Sequence, residues 1–164
     1  MTGNMWNSSY DMQLLKFFDL NCRRVKTTRI TEIYFYLPNP LYIIICCDGA
    51  SRGNPGEAGY RFICRQGTGE YMFAMLGGLG LATNLMAEIF VILCAGEWEI
   101  NNNFLKVCFQ TNSKASIAAF QSGEVPWWDC TRWNKIKSSL QDWYFSHSYR
   151  EINFSADLMA KKGT

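Results

Sequence analysis

The stretch that decides the fold runs from Tyr42 to Gly56 and reads YIIICCDGASRGNPG. Its first part, Tyr42–Cys47, is a short apolar run of the kind that predicts a fully buried strand. Asp48 is expected to end this strand, and the glycine- and proline-containing segment Ser51–Gly59 predicts a loop. Because α/β sheets bind ligands at the carboxyl ends of their strands, the Asp48 carboxylate is a candidate ligand group. Taken alone, Asp48-Gly49 is equally typical of a simple turn.

Outward from this stretch, hydrophobic periodicity predicts a succession of short strands and helices. In order they are strands Tyr60–Arg65 and Glu70–Leu76, helix Ala82–Glu99, strand Phe104–Thr111, helices Ser113–Gln121 and Thr131–Gln141, strand Trp143–Arg150 and helix Phe154–Lys162. Strands joined by short turns pair antiparallel, whereas strands separated by helices pair parallel. The order therefore predicts an α/β fold with a mixed five-stranded sheet, three strands antiparallel and two added in parallel, flanked by helices.

Two further acidic residues stand near predicted helix starts. Glu88 lies one turn into the helix that begins near Ala82, where Thr83 or Asn84 can act as the N-cap. Asp157 lies in the first turn of the last helix, where a carboxylate also interacts favourably with the helix dipole. Each residue alone has an ordinary explanation, an exposed glutamate or a capping aspartate. A buried carboxylate, by contrast, is costly unless it is paired or binds a metal.

Three sequence motifs, taken together, indicate a protein family much more specifically than any of these acidic residues does alone. They are DGASRGNPG at 48–56, TNLMAE at 83–88 and HSYREINFSADLMAKKG at 147–163. In this order and spacing they resemble the motifs of ribonuclease H domains, in particular a plant, retroelement-related and reverse transcriptase-like branch. The resemblance covers about residues 41–163 and implies the ribonuclease H-like fold.

The resemblance also implies an activity. Ribonuclease H enzymes are Mg²⁺-dependent endonucleases that cut the RNA strand of an RNA–DNA hybrid with two metal ions held by four carboxylates. Mn²⁺ can stand in for Mg²⁺. By motif position, Asp48 would contact both ions, Glu88 one and Asp157 the other. His147 matches a histidine near the departing product, although a histidine that merely packs on its strand is an equal alternative.

The fourth metal ligand of the family falls on Asn112, within Gln110-Thr111-Asn112-Ser113. An asparagine offers a neutral amide oxygen where the family has a charged carboxylate. We therefore expect a nucleic-acid-binding domain whose cleavage activity is impaired. The alternatives are a catalytically dead pseudoenzyme that binds hybrid or double-stranded RNA, and a degenerate structural remnant that binds neither metal nor nucleic acid.

Nucleic-acid contacts follow from the same resemblance. Asn54 matches a position that contacts 2′-hydroxyl groups, which distinguish RNA from DNA. Thr83 and Asn84 match positions that hold the DNA strand. Arg132 and Lys135 lie in a segment where basic residues alternate with tryptophans, a pattern that suits phosphate and base contacts. Most of the tryptophans in this segment, Trp127, Trp128, Trp133 and Trp143, are nevertheless expected in the core.

The amino-acid composition limits the classes of protein to which this chain can belong. The 164 residues are 48% hydrophobic and 18% charged, which suits one globular domain, and the net charge of +2 does not by itself indicate a nucleic-acid binder. The sequence has seven cysteines without a CxxC pair and a single histidine, a pattern that does not indicate a structural zinc site. No segment is apolar enough for a membrane helix. We expect a monomer in the cytosol or nucleus, with residues 1–40 as a leader carrying the basic run Asn21–Arg29 and residues 41–164 as the domain.

Overall fold

The computed structural model describes residues 2–4, 9–19, 24–26, 32, 34 and 37–149. The chain forms two compact units, Met1–Glu32 and Ile33–Thr164. In the first unit, strand β1 (Thr2–Asn4) pairs antiparallel with strand β2 (Arg24–Lys26), and helix α1 (Ser9–Phe17) lies between them in sequence.

The second unit contains a five-stranded sheet with three described helices. Its elements are β3 (Ile43–Gly53), β4 (Gly56–Arg65), β5 (Tyr71–Ala82), α2 (Asn84–Asn101), β6 (Lys106–Thr111), α3 (Lys114–Ser122), α4 (Trp127–Ser139) and β7 (Asp142–His147). The strand order is β5-β4-β3-β6-β7. β3, β4 and β5 pair antiparallel, while β6 pairs parallel with β3 and β7 parallel with β6. The predicted mixed sheet is confirmed, and the predicted helix Phe154–Lys162 lies outside the described residues.

The prediction that strand β3 ends at Asp48 and that 51–59 is a loop is wrong. β3 and β4 stay paired from Ile44 and Arg65 to Gly53 and Gly56, so the hairpin turn is confined to Asn54 and Pro55, joined by a cis peptide bond. The turn-forming residues misled the prediction because only two of them are needed to reverse the chain. Asp48 therefore lies within a long central strand.

Helix α2 supplies much of the core that holds this sheet in place. Ile89, Ile92 and Leu93 are fully or almost fully buried, as their helical spacing predicts, whereas Leu85 in the first turn is 43% exposed. Gly96 allows α4 to pack against α2, because a Cβ there would lie 2.9 Å from Cγ2 of Ile136. No helix within the described ranges is long and apolar enough to cross a membrane.

The four tryptophans of the aromatic segment divide evenly between core and surface. Trp133 is buried and Trp143 packs against it with ring centroids 5.0 Å apart. Trp127 and Trp128 are 80% and 52% exposed. The expectation that most of them are buried is wrong because α4 begins at Trp127, four residues before its predicted start, and these two side chains lie on its first turn.

Candidate functional site

The strand register brings the predicted site residues of three strands to one end of the sheet. Cys47 of β3 pairs with Thr111 of β6, which pairs with His147 of β7. Asp48 directly follows Cys47, and Asn112 directly follows Thr111, so the two residues lie at the same end of the sheet. A cleft of about 780 Å³ opens here, and its lining includes six of the predicted residues: Asp48, Asn54, Asn84, Glu88, Asn112 and His147.

Glu88 is held at this cleft by the start of helix α2. The Thr83 side chain caps the helix by accepting a hydrogen bond from the Met86 backbone N–H at 3.2 Å. Glu88 is only 8% exposed, and its Oε2 accepts a hydrogen bond from the Thr111 hydroxyl at 3.3 Å. The same hydroxyl accepts from the backbone N–H of Ser113 at 3.1 Å. Thr111 thus connects Glu88 to the loop that carries Asn112.

Asp48 faces a residue that the sequence did not single out. The Arg61 guanidinium donates to Oδ2 of Asp48 through Nε at 3.0 Å and forms an ion pair with the same oxygen through Nη2 at 2.8 Å. Asp48 and Arg61 are directly opposite each other in the β3–β4 register. The pairing has no local sequence signal, because it depends on where the hairpin turns.

These groups match a two-metal site only in part. Asp48 and Glu88 offer carboxylate oxygens, the ligands that Mg²⁺ prefers. Asn112, however, is neutral, and the Asp48 carboxylate already forms an ion pair with the Arg61 guanidinium. Within residues 37–149 and the shorter described ranges, no group of three or more His, Cys, Asp or Glu side chains is placed to hold a metal. Asp157 lies outside the described residues. The described side chains do not by themselves fit two divalent cations.

The two asparagines at the cleft fix the hairpin to the helix. The Asn84 side-chain oxygen accepts from the backbone N–H of Ser51 at 2.7 Å, and the Asn54 side-chain oxygen accepts from the backbone N–H of Asn84 at 3.2 Å. The Ser51 hydroxyl donates to the Ala82 carbonyl at 2.8 Å. Both amide oxygens are therefore used internally, and both residues are exposed at the cleft.

His147 lines the cleft from the end of β7. Its ring is exposed and stands edge-on to Tyr149 with centroids 5.6 Å apart. The neighbouring Ser148 is buried, and its backbone N–H donates to the Thr111 carbonyl at 3.0 Å. The imidazole is therefore on the surface and within the cleft lining, not in the core.

Arg132 and Lys135 lie on α4 and are absent from the lining of this cleft. Arg132 forms a two-pronged contact with Glu97 of α2, at 2.8 and 2.9 Å, and a weaker ion pair with Asp129 at 3.4 Å. Its contact with Glu97 raises the pKa of Arg132 and lowers the pKa of Glu97. This arginine ties two helices together, whereas Lys135 is exposed.

Comparison with known proteins places this arrangement in a family. The family model described as reverse transcriptase-like matches residues 46–163. Ribonuclease H1 of Halobacterium salinarum is 24% identical with a TM-score of 0.63, covering 68% of this chain and 89% of that one. An N-terminal RNase H domain from Mycobacterium tuberculosis is 21% identical with a TM-score of 0.62, covering 68% and 90%.

A third solved structure is LC11-RNase H1 in complex with an RNA/DNA hybrid, an enzyme isolated from compost. It is 28% identical with a TM-score of 0.60, covering 71% of this chain and 91% of that one. No curated protein sequence matches the chain.

Proposed function

Because the chain belongs to the reverse transcriptase-like family, whose members have the ribonuclease H-like fold, we propose that it is a nucleic-acid-binding domain with impaired nuclease activity. Its ancestral reaction is the Mg²⁺-dependent cleavage of RNA in RNA–DNA hybrids. The observation that carries the proposal is the cleft in which Asp48 and Glu88 lie together with Asn112 at the position of an expected carboxylate.

Binding of a hybrid is supported by the groups around the cleft. The NH₂ groups of Asn54 and Asn84 suit 2′-hydroxyl, sugar and phosphate oxygens, which are the features by which proteins recognise RNA-containing duplexes. LC11-RNase H1, at 28% identity, has been solved with an RNA/DNA hybrid. The ligand we propose here is the same class, an RNA–DNA hybrid or a related duplex.

Impaired cleavage is supported by the charge of the cleft. In the family scheme, Asp48, Glu88, Asp157 and residue 112 would hold two Mg²⁺ ions, which activate water and stabilise the leaving oxygen. Asn112 removes one negative charge from this set. Loss of groups that only orient metal ligands costs about 10–100-fold in metal affinity or activity. Loss of a charged ligand is expected to cost at least as much.

One observation favours the alternative of a pseudoenzyme that binds without cutting. The ion pair between Arg61 and Asp48 occupies the carboxylate that would contact both metals. A domain with this arrangement can retain the hybrid-binding groups at Asn54 and Asn84 while losing the metal. The two readings share a ligand and differ only in residual cleavage.

The test is a cleavage assay on a labelled RNA–DNA hybrid with Mg²⁺ or Mn²⁺, paired with a binding assay on the same hybrid. We expect the natural chain to bind with little or no cleavage, and Asn112→Asp to increase cleavage at least about tenfold. Asp48→Asn in the Asn112→Asp background is the control and should abolish the gain.

Three other outcomes have definite meanings. Cleavage by the natural chain that Asp48→Asn abolishes, with no gain from Asn112→Asp, would identify a working ribonuclease H. Binding without cleavage in both the natural chain and Asn112→Asp would identify the pseudoenzyme. Neither binding nor cleavage would identify a structural remnant and would refute the proposed function.

A further inference from the structure

Arg61 places a permanent positive charge directly against the central carboxylate of the candidate site. Two of its nitrogens contact the same Oδ2 of Asp48, at 3.0 and 2.8 Å. Arginine stays protonated at all physiological pH values. The Asp48 side chain is 15% exposed and that of Arg61 37%, so the pair is partly shielded from water. Partial shielding makes such a contact stronger than a fully exposed ion pair.

The strand register places the two residues of this pair next to each other. Asp48 and Arg61 are directly opposite residues of the antiparallel β3–β4 ladder, so their side chains leave the same face of the sheet. Both also line a groove that shares Asp48, Ala50 and Ser51 with the main cleft. The guanidinium is therefore part of the site's edge.

The formal charges of the four residues Asp48, Arg61, Glu88 and Asn112 determine how strongly the described site attracts a divalent cation. Asp48 and Glu88 contribute two negative charges when ionised, Arg61 contributes one positive charge and Asn112 none, which leaves a net charge of −1. An aspartate at 112 and a neutral residue at 61 would make the same four positions −3. Asn112 and Arg61 therefore both weaken the attraction of these four positions for a divalent cation.

We infer that Arg61 is the built-in counter-cation of this site: it holds the Asp48 carboxylate in place of a divalent metal, so that a hybrid is bound without Mg²⁺. The inference deepens the proposed function and depends on it for the ligand. An Asp48 carboxylate whose charge is balanced by Arg61 repels a phosphate less than an unpaired carboxylate would.

The first test measures Mn²⁺ binding to the full chain without nucleic acid, by the electron paramagnetic resonance signal of free Mn²⁺. The variants are Arg61→Gln, Arg61→Lys and, as a matched control, Arg65→Gln. Arg65 lies on the same strand, and its guanidinium donates to the Gly69 carbonyl at 3.1 Å rather than to Asp48.

We expect Arg61→Gln to tighten Mn²⁺ binding about tenfold or more, with a further gain when combined with Asn112→Asp. Arg61→Lys retains the charge and should stay weak, and Arg65→Gln should match the natural chain. Asp48→Asn added to Arg61→Gln should remove the gain. If the glutamine variant does not fold, Arg61→Met provides the same comparison, because it keeps most of the apolar stem and loses the charge.

Equal Mn²⁺ affinity in the natural chain and Arg61→Gln would overturn the inference. So would hybrid binding by the natural chain that requires Mg²⁺, measured by comparing Mg²⁺ with EDTA at matched ionic strength. Failure to bind hybrid under both conditions would instead refute the proposed function, while the Mn²⁺ comparison would still decide the role of Arg61.

Discussion

At the scale of single residues, Glu99 is a carboxylic acid enclosed by the core. It lies in α2 with no exposed surface, and the Cys64 thiol donates to its Oε1 at 3.0 Å. Its Oε2 has no hydrogen-bond partner among the described residues. Burial raises the pKa of Glu99 from 4.5 to about 7. Below about pH 7, the protonated acid is therefore the form that the folded protein favours.

This shift predicts a pH dependence of stability with a definite sign. Between pH 4.5 and about 7 the folded chain keeps a proton on Glu99 that the unfolded chain releases, so stability falls as pH rises through this window. A shift of this size corresponds to a loss of up to about 3 kcal/mol. Denaturant unfolding at pH 5 and at pH 8 gives the free energy of unfolding at each pH. The loss of this free energy from pH 5 to pH 8 should be smaller for Glu99→Gln than for the natural chain. Equal differences would contradict the assignment.

At the scale of elements, the contact of α2 with β3 positions the two carboxylates. Gly49 follows Asp48, and a Cβ at this position would lie 2.3 Å from the Ala87 carbonyl carbon and 2.5 Å from the Glu88 nitrogen. Both neighbours are backbone atoms, so relief requires the helix to move. The glycine that looked like part of a turn in the sequence is thus required for the close approach of helix to strand.

Gly49→Ala should therefore destabilise the fold by about 1–3 kcal/mol, as overpacking of a core contact does, and should weaken hybrid binding. The control is Gly78→Ala in β5, where an added Cβ has no atom within 4 Å and which should change stability little. Thermal unfolding of both variants tests this contrast. A Gly49→Ala variant as stable as the natural chain would show that α2 can shift without cost.

At the scale of the whole molecule, a net charge of +2 cannot attract nucleic acid by itself, so binding has to come from local cations. Lys135 is exposed on α4, whereas Arg132 on the same helix is already engaged by Glu97. If Lys135 contacts a phosphate, Lys135→Gln should weaken hybrid binding and reduce the slope of log K against log salt by about one.

Lys106→Gln is the matched control, because it removes the same charge at the start of β6, the opposite end of this strand from Asn112. It should leave the salt slope unchanged. Fluorescence anisotropy with a labelled hybrid at several salt concentrations separates the two variants. An unchanged slope for Lys135→Gln would remove Lys135 from the proposed contact surface.

The sequence alone determined the order of elements, the mixed sheet and the grouping of Asp48, Glu88, Asn112 and His147. The order and the sheet follow from hydrophobic period, which is local, and from the pairing of strands joined by turns or by helices. The grouping of the four residues is what the resemblance to ribonuclease H motifs implied, and they lie together in one cleft. The predicted role of Asp157 lies outside the described residues and stays a prediction.

Only the tertiary structure decided what surrounds each of these groups. Asp48 meets Arg61 because the hairpin reverses at Asn54 and Pro55, and a shift of one residue would send the guanidinium to the other face of the sheet. Trp127 and Trp128 are exposed because α4 begins earlier than its periodicity indicates, and Arg132 is paired because α2 lies beside α4. Such pairings depend on register and helix packing between residues distant in the chain, which local patterns do not encode.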